Sequence, residues 1–313
     1  MTNNPQDEPI FIIGHLNPDT DSVCSAITYA HFLKEKKGRS DIIAACAGHL
    51  NDETKFALKY FHQKQPHHLE TAAEKNIILV DHNEVSLSLP DIKEANIMEI
   101  IDHHRIGDIE TTHPIAFVNL PLGSTASIIA ERYSRYKVPI SKNMAGLMLS
   151  ALVSDTILLN SPTTTSKDRT LAEKLAALAE VNLHEYGRDL LEAGCNLITH
   201  SPKKIINSDF KKYGSKPSRI GIAQVNVADT RVALRKKKAL LKEMDKMRLE
   251  NDYKYIMLMI TNIISLQTDL LISGDDLNPI SKRFKKHIEH NMMILPDVVS
   301  RKKQIQPKVL KLI

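Results

Sequence analysis

Three short apolar runs in the N-terminal half of the chain end on the same kinds of side chain. FIIGHLNPDTDS carries His15, Asp19 and Asp21 just after residues 10–13, IILVDHN carries Asp81 and His82 after 77–80, and MEIIDHH carries Asp102, His103 and His104 after 97–101. Two further apolar runs, 42–46 and 115–118, belong to the same series, with polar or helical-period stretches between them. Buried strands alternating with helices specify an α/β fold with a doubly wound, largely parallel sheet. In an open sheet of that kind the ligand crevice lies beyond the carboxyl ends of the strands. A lone Asp or His there is ordinarily a helix cap or a satisfied structural residue. Three strand ends repeating the pattern instead gather acids and imidazoles at one edge.

The apolar positions Val23, Ala26, Ile27, Ala30 and Leu33 mark an amphipathic helix after Asp21, and further helices are expected over 52–61, 124–136, 141–154, 167–179 and near 184–197. In the 141–154 helix, Met144, Leu147, Met148 and Ala151 trace a buried stripe that Asp155 continues. A core-facing carboxylate must be protonated, ion-paired or metal-bound, unless Ser154 and Asp155 simply end the helix near solvent. The stretch after Gly123 reads as a helix start capped by Ser124 or Thr125, which is more ordinary than an anion site there.

With 313 residues, the chain has room for two domains, expected at 1–195 and 200–313. Charge separates them: residues 1–195 hold 18 basic and 26 acidic side chains, whereas 196–313 hold 24 and 11. An acidic half suits cations and a basic half suits an anionic ligand. The second half is expected to be a smaller mixed α/β domain. It comprises a transition over 200–217, a strand at 220–227, one long helix opening near Thr230, apolar runs at 255–260 and 265–272, and a basic C-terminal tail. Lys211 and Lys212 form one cationic cluster and Arg301, Lys302 and Lys303 another; each alone reads as solvated surface, and together they suit a compact polyanion.

No membrane span, secretion signal or disulfide framework is expected: the apolar stretches are short, the N-terminus is polar, and Cys24, Cys46 and Cys195 are scattered. The expected location is the cytoplasm. There is no GxGxxG and no GxxxxGK[ST], and 5% aromatics with no Trp speak against a stacking groove for single strands. His15, Asp19, Asp21, Asp81, His103 and Asp155 make four carboxylates and two imidazoles without a thiolate, a set that favours Mn²⁺, Mg²⁺, Co²⁺ or Fe²⁺ over structural zinc. That many donors can hold two ions about 3.5–4 Å apart, the arrangement used for metal-assisted hydrolysis of phosphoesters and phosphoanhydrides.

GHLNPDTDS, VDHN, IDHHRIG, LVSDT and SRKKQ stand here in the order and at about the spacing of the manganese-dependent family II inorganic pyrophosphatases, and the chain resembles that family, within the DHH phosphoesterase superfamily, over nearly its whole length. The resemblance implies an N-terminal DHH metal-binding domain, a DHHA2-like substrate domain and an active site in the cleft between them. It implies two Mn²⁺, with Co²⁺ as a substitute. His15, Asp19 and Asp81 would hold one, and Asp21, Asp81, His103 and Asp155 the other. His104 would contact substrate, Asp102 would support the site, and Lys211, Arg301 and Lys302 would hold the phosphates of a magnesium pyrophosphate.

Hydrolysis to two orthophosphates by a metal-bridged hydroxide is the implied activity, in a homodimer formed through the N-terminal sheet, with neither a nucleic acid nor a membrane as partner. A DHH-type exopolyphosphatase or oligonucleotide phosphodiesterase is the alternative with the same metals. A non-catalytic nucleic-acid-binding protein would leave the buried acids unexplained. After SDT the family usually shows an aromatic residue and a lysine, where this chain has ILLNSPTTT. It also lacks the long regulatory nucleotide-binding insert of some members, so control by adenine nucleotides is not expected.

Overall fold

The computed structural model describes residues 8–195 and 200–312. The chain divides into two compact units, Met1–Gly194 and Cys195–Ile313. In the first unit, strands β1 (Ile10–Ile13), β2 (Ile42–Cys46), β3 (His67–His68), β4 (Asn76–Val80), β5 (Asn96–Asp102) and β6 (Ala116–Asn119) make one sheet. Their order is β3-β2-β1-β4-β5-β6, and every adjoining pair is parallel. Parallel strands covered on both faces read as unbroken apolar runs, which is why IFII and NIILV are buried throughout. Ile10 pairs with Ile42 on one side and Asn76 on the other, so the strand order reverses at β1. A crevice is expected at the carboxyl ends of β1 and β4 for this reason.

Helices α1 (Thr20–Lys37), α2 (Asp52–Tyr60), α3 (Thr125–Arg135), α4 (Lys142–Asp155), α5 (Ser166–Ala179) and α6 (Leu183–Cys195) complete the unit. The expected one-sided burial of α1 does not hold. Ile27 is only partly buried while Ser25 and Thr28 are fully buried, because α1 packs on β1 and β2 and also against α3 and α4. Its interior hydroxyls are satisfied locally: Thr28 Oγ1 donates to the Cys24 carbonyl at 2.7 Å and Ser25 Oγ to Asp21 Oδ1 at 2.9 Å.

The second unit contains α7 (Pro202–Asn207), β7 (Phe210–Tyr213), β8 (Ile220–Val227), α8 (Thr230–Leu234), α9 (Lys237–Glu250), β9 (Tyr255–Asn262), β10 (Gln267–Ser273), α10 (Asn278–Phe284), β11 (Met292–Pro296), a π-helical turn (Arg301–Ile305) and α11 (Gln306–Val309). Its sheet runs β11-β10-β9-β8-β7, with β8 and β9 parallel and the other pairs antiparallel. One face buries Ile205, Leu240, Met244 and Leu258; the other buries Ile222, Met257, Ile272 and Phe284. The 200–217 transition contains α7 and β7, and the basic tail contains β11 and the π-helical turn. The single long helix is two, broken at Arg235 and Lys236, where four consecutive cations crowd one turn. No helix among the described residues is long and apolar enough to cross a membrane.

Candidate metal centre

β1 leads directly into the first donors. A Cβ at Gly14 would lie 1.8 Å from Ser22 Oγ, so only glycine lets the strand end pass this close beneath the first turn of α1. Asp19 caps α1, its Oδ1 accepting from Ser22 N at 3.0 Å, and its Oδ2 lies 3.3 Å from His15 Nε2. The capping role is real and uses one oxygen; the other faces the cluster. Asp21 is fully buried, with Oδ1 accepting from Ser25 Oγ (2.9 Å), Ser124 Oγ (3.0 Å) and Ala126 N (3.1 Å), and Oδ2 from Thr125 N (2.6 Å). The N-terminus of α3 thus does bind an anion, and the anion is a side chain of this protein.

Asp81 follows β4 in the left-handed region at φ 64°, an unfavourable conformation for a non-glycine residue and one met at functional sites. Its N–H donates to the Ile101 carbonyl at 2.9 Å, and its Oδ1 accepts from Thr125 Oγ1 at 3.1 Å. His103 follows β5 and Asp155 closes α4. His103 Nδ1 lies 3.0 Å from the Leu122 carbonyl and His15 Nδ1 lies 2.8 Å from the Leu16 carbonyl, so both rings turn Nε2 toward the acids. His103 Nε2 is 3.2 Å from Asp155 Oδ2, 3.4 Å from Asp81 Oδ1 and 3.9 Å from Asp21 Oδ2; His15 Nε2 is 3.6 Å from Asp81 Oδ2.

Ionised together, the four carboxylates of this cluster repel one another. Burial raises the Asp81 carboxyl well above the carboxylate range, and the Asp21 charge adds to it; burial and then Asp21 push Asp155 up to about 7. Burial alone would lower the His103 imidazole, but Asp155 and Asp81 beside it push it up to about 12. The site favours added positive charge. His103 Nε2 is buried yet has no oxygen in hydrogen-bond geometry, as a metal donor would be. The donor atoms fall within 4.8 Å of one another in three groups: His15, Asp19 and Asp81; Asp21, Asp81, His103 and Asp155; and Asp81, His103 and His104. Asp81 belongs to every group. The residues therefore fit oxygen-preferring divalent cations such as manganese.

Behind this cluster, Asp102 Oδ1 accepts from the backbone N–H of His103 (2.7 Å) and of His104 (3.1 Å) and lies 2.9 Å from His104 Nδ1. Asn83 Nδ2 donates to Asp102 Oδ2 and to the Arg105 carbonyl. His82 is structural: its Nδ1 is 3.0 Å from the Val80 carbonyl and its Nε2 is 3.0 Å from Ser88 Oγ, both inside the fold.

The second unit collects the remaining candidates. Asp209, Gln224, Asn226, Val299, Ser300, Arg301 and Lys302 line a concavity of about 460 Å³. Arg301 is not a free surface cation: its guanidinium donates to Asp209 Oδ1 (2.9 Å) and to the Asp209 carbonyl (2.7 Å). Gln304 Oε1 accepts from the N–H of Val299 and of Ser300, each at 2.9 Å, and shapes the segment ahead of the π-helical turn. Lys302 is exposed, and Lys211 on β7 pairs across to Ile222 of β8.

Family models match both units, "DHH family, N-terminal domain" over residues 9–152 and "DHHA2 domain" over 188–312. A manganese-dependent inorganic pyrophosphatase of Methanothrix thermoacetophila is 42% identical over 300 residues, 95% of this chain and 96% of its own. The enzyme so named from Bacillus subtilis is 40% identical over 302 residues, 96% and 97% of the two chains. The chain belongs to the manganese-dependent inorganic pyrophosphatases. A crystal structure from Methanococcus jannaschii, provisionally assigned to the family II inorganic pyrophosphatases, superposes with a TM-score of 0.62 at 38% identity, covering 97% of this chain and 99% of that one.

Within this pyrophosphatase, sequence reasoning missed the groups that hold the donors. Asn83 stands inside the VDHN motif, where an amide gives no sign of the carboxylate it holds. Thr125, read as a cap, bonds to two of the acids. Glu53 receives Thr20 Oγ1 at 2.6 Å and also Ser154 Oγ, joining the residues next to Asp19 and Asp155. In the departing ILLN segment, Ile157, Leu158 and Leu159 are all left-handed, at φ 51°, 51° and 66°, turning the chain sharply after Asp155.

Proposed function

We propose that this chain hydrolyses pyrophosphate and water to two orthophosphates at a pair of manganese ions. His15, Asp19 and Asp81 hold one ion, Asp21, Asp81, His103 and Asp155 hold the other, and Asp81 is common to both. The observation that carries this reading is the presence of Asp81 in all three donor groups, at the carboxyl end of β4 in a fully parallel sheet. When bound, the ions supply Lewis acidity toward a phosphoryl oxygen and a lowered pKa for water. The protein's own groups do the rest. His104, half-exposed beside the donors and oriented by Asp102, contacts substrate. Lys211, Arg301 and Lys302 of the second unit bind the phosphates, with Arg301 held in a fixed orientation by Asp209. The first unit is thus the catalytic one and the second the substrate-binding one. We infer further that Co²⁺ can replace Mn²⁺, that Mg²⁺ arrives with the substrate, and that the chain forms a homodimer through its N-terminal sheet.

The test is phosphate release by metal-stripped protein with Mn²⁺, Co²⁺, Mg²⁺ or Zn²⁺ restored in turn, offered pyrophosphate, tripolyphosphate or a short oligonucleotide. Mn²⁺-dependent turnover of pyrophosphate above the other two is the expected result. Preferential cleavage of either alternative, or turnover indifferent to metal, would overturn the assignment.

A further inference from the structure

The donors are set in place by a short loop, and the loop by a carboxylate that touches no donor. The segment from Leu122 to Ser127 reaches three of the six candidate ligands. The Leu122 carbonyl lies 3.0 Å from His103 Nδ1. Ser124 Oγ, Thr125 N and Ala126 N all donate to Asp21. Thr125 Oγ1 donates to Asp81 at 3.1 Å. This segment runs into the first turn of α3, yet what fixes it comes from α5. Asp168, fully buried, accepts from Gly123 N (2.9 Å) on Oδ2 and from Ser127 Oγ (2.7 Å) on Oδ1, bracketing the loop at both ends. Oδ2 also accepts from Thr165 Oγ1 (2.7 Å) and from Thr165 N (2.8 Å), and the latter, with Asp168 N donating to Thr165 Oγ1 (3.3 Å), makes the capping box of α5. A Cβ on Gly123 would fall 2.6 Å from Thr156 Cγ2 and 2.9 Å from Asp168 Oδ2, so the loop's approach to Asp168 requires glycine.

We propose that Asp168 is a positioning residue for the metal centre: through Gly123 and Ser127 it locks the loop that orients Asp21, Asp81 and His103, and so sets manganese affinity without contacting an ion. This rests on the reading of the cluster as a manganese site and adds a determinant of its affinity. A residue with this role differs from a helix cap in what its loss changes. Groups that orient metal ligands typically change affinity tenfold or more when removed, even where the fold survives.

The experiment is calorimetric titration of Mn²⁺ into the metal-stripped full-length protein and three variants, with thermal unfolding followed in parallel. Asp168→Asn keeps the shape but presents an amide where Oδ2 or Oδ1 receives N–H and O–H donors. It is expected to weaken Mn²⁺ binding at least about tenfold. Ser127→Ala cuts only the loop side and is expected to weaken binding in the same direction, which keeps the inference testable if Asp168→Asn does not fold. Thr165→Ala removes the cap hydroxyl while leaving Gly123 and Ser127 bonded to Asp168, and is expected to lower thermal stability with affinity unchanged. Equal Mn²⁺ affinity in wild type, Asp168→Asn and Ser127→Ala, or an equal loss in Thr165→Ala, would overturn the inference and leave Asp168 a cap. Failure of the wild type itself to bind Mn²⁺ would instead strike the underlying reading.

Discussion

Asp81 meets three requirements at one position: it is buried, left-handed at φ 64°, and common to all the donor groups. Asp81→Asn preserves size and removes the shared charge. Turnover is expected to fall at least a hundredfold, about the effect of deleting one preorganised electrostatic contact, and the dialysed variant is expected to retain less manganese. Phosphate release and metal analysis check this, and full turnover with unchanged metal content would contradict it. Its neighbour His82 shows the opposite design. Burial lowers its imidazole from 6.5 to about 4. Because the folded value lies below the unfolded one, stability is complete above pH 6.5 and is lost as pH falls toward 4. The shift corresponds to about 3 kcal/mol. In metal-stripped protein, the loss of unfolding free energy between pH 6.5 and 4 is expected to shrink by about that amount in His82→Gln, measured by urea titration; equal slopes would show that His82 is not held neutral.

At the scale of elements, what was legible in the sequence was what burial makes uniform. The runs at 10–13 and 77–80 fall on β1 and β4, because strands covered on both faces leave continuous apolar text. β7 was not legible: it is a short edge strand carrying Lys211 and Lys212 outward, and charge of that kind hides an edge from pairing and from pattern reading alike. The donor residues could be read because each stands at or next to the end of a strand or helix. Their supports could not, since Asp168 meets Gly123 from 45 residues away and only the folded chain makes them neighbours. The same holds for Asp209, 92 residues from Arg301. Asp209→Asn is expected to cost about 1 kcal/mol in orientation of that guanidinium, after allowing for screening of a half-exposed pair. KM for pyrophosphate is therefore expected to rise about fivefold with kcat little changed. A loss confined to kcat would instead assign Asp209 to the chemical step.

For the whole molecule, the acidic and basic halves of the sequence correspond to two units with separate cores. Among the described residues, the candidate metal-donor groups all lie in the first. Ligand linkage stabilises the unit that holds the donors: at Mn²⁺ a hundredfold above its Kd, the gain is about 2.7 kcal/mol. Amide hydrogen exchange in α1 and β4 is expected to slow about a hundredfold on adding Mn²⁺, with α9 and β9 unaffected. Equal slowing in both sheets would mean that the units open as one.

The donors come from the ends of β1, β4, β5 and α4 and from the start of α1, and the last of them, Asp155, is separated from the first by most of the unit. No single strand or helix of this chain holds the full set. During synthesis the centre cannot be assembled until α4 has emerged and docked, and long-range parallel pairing is slow to form. Manganese capture therefore waits on the docking of α4, and its onset can serve as a clock for that step in the first unit.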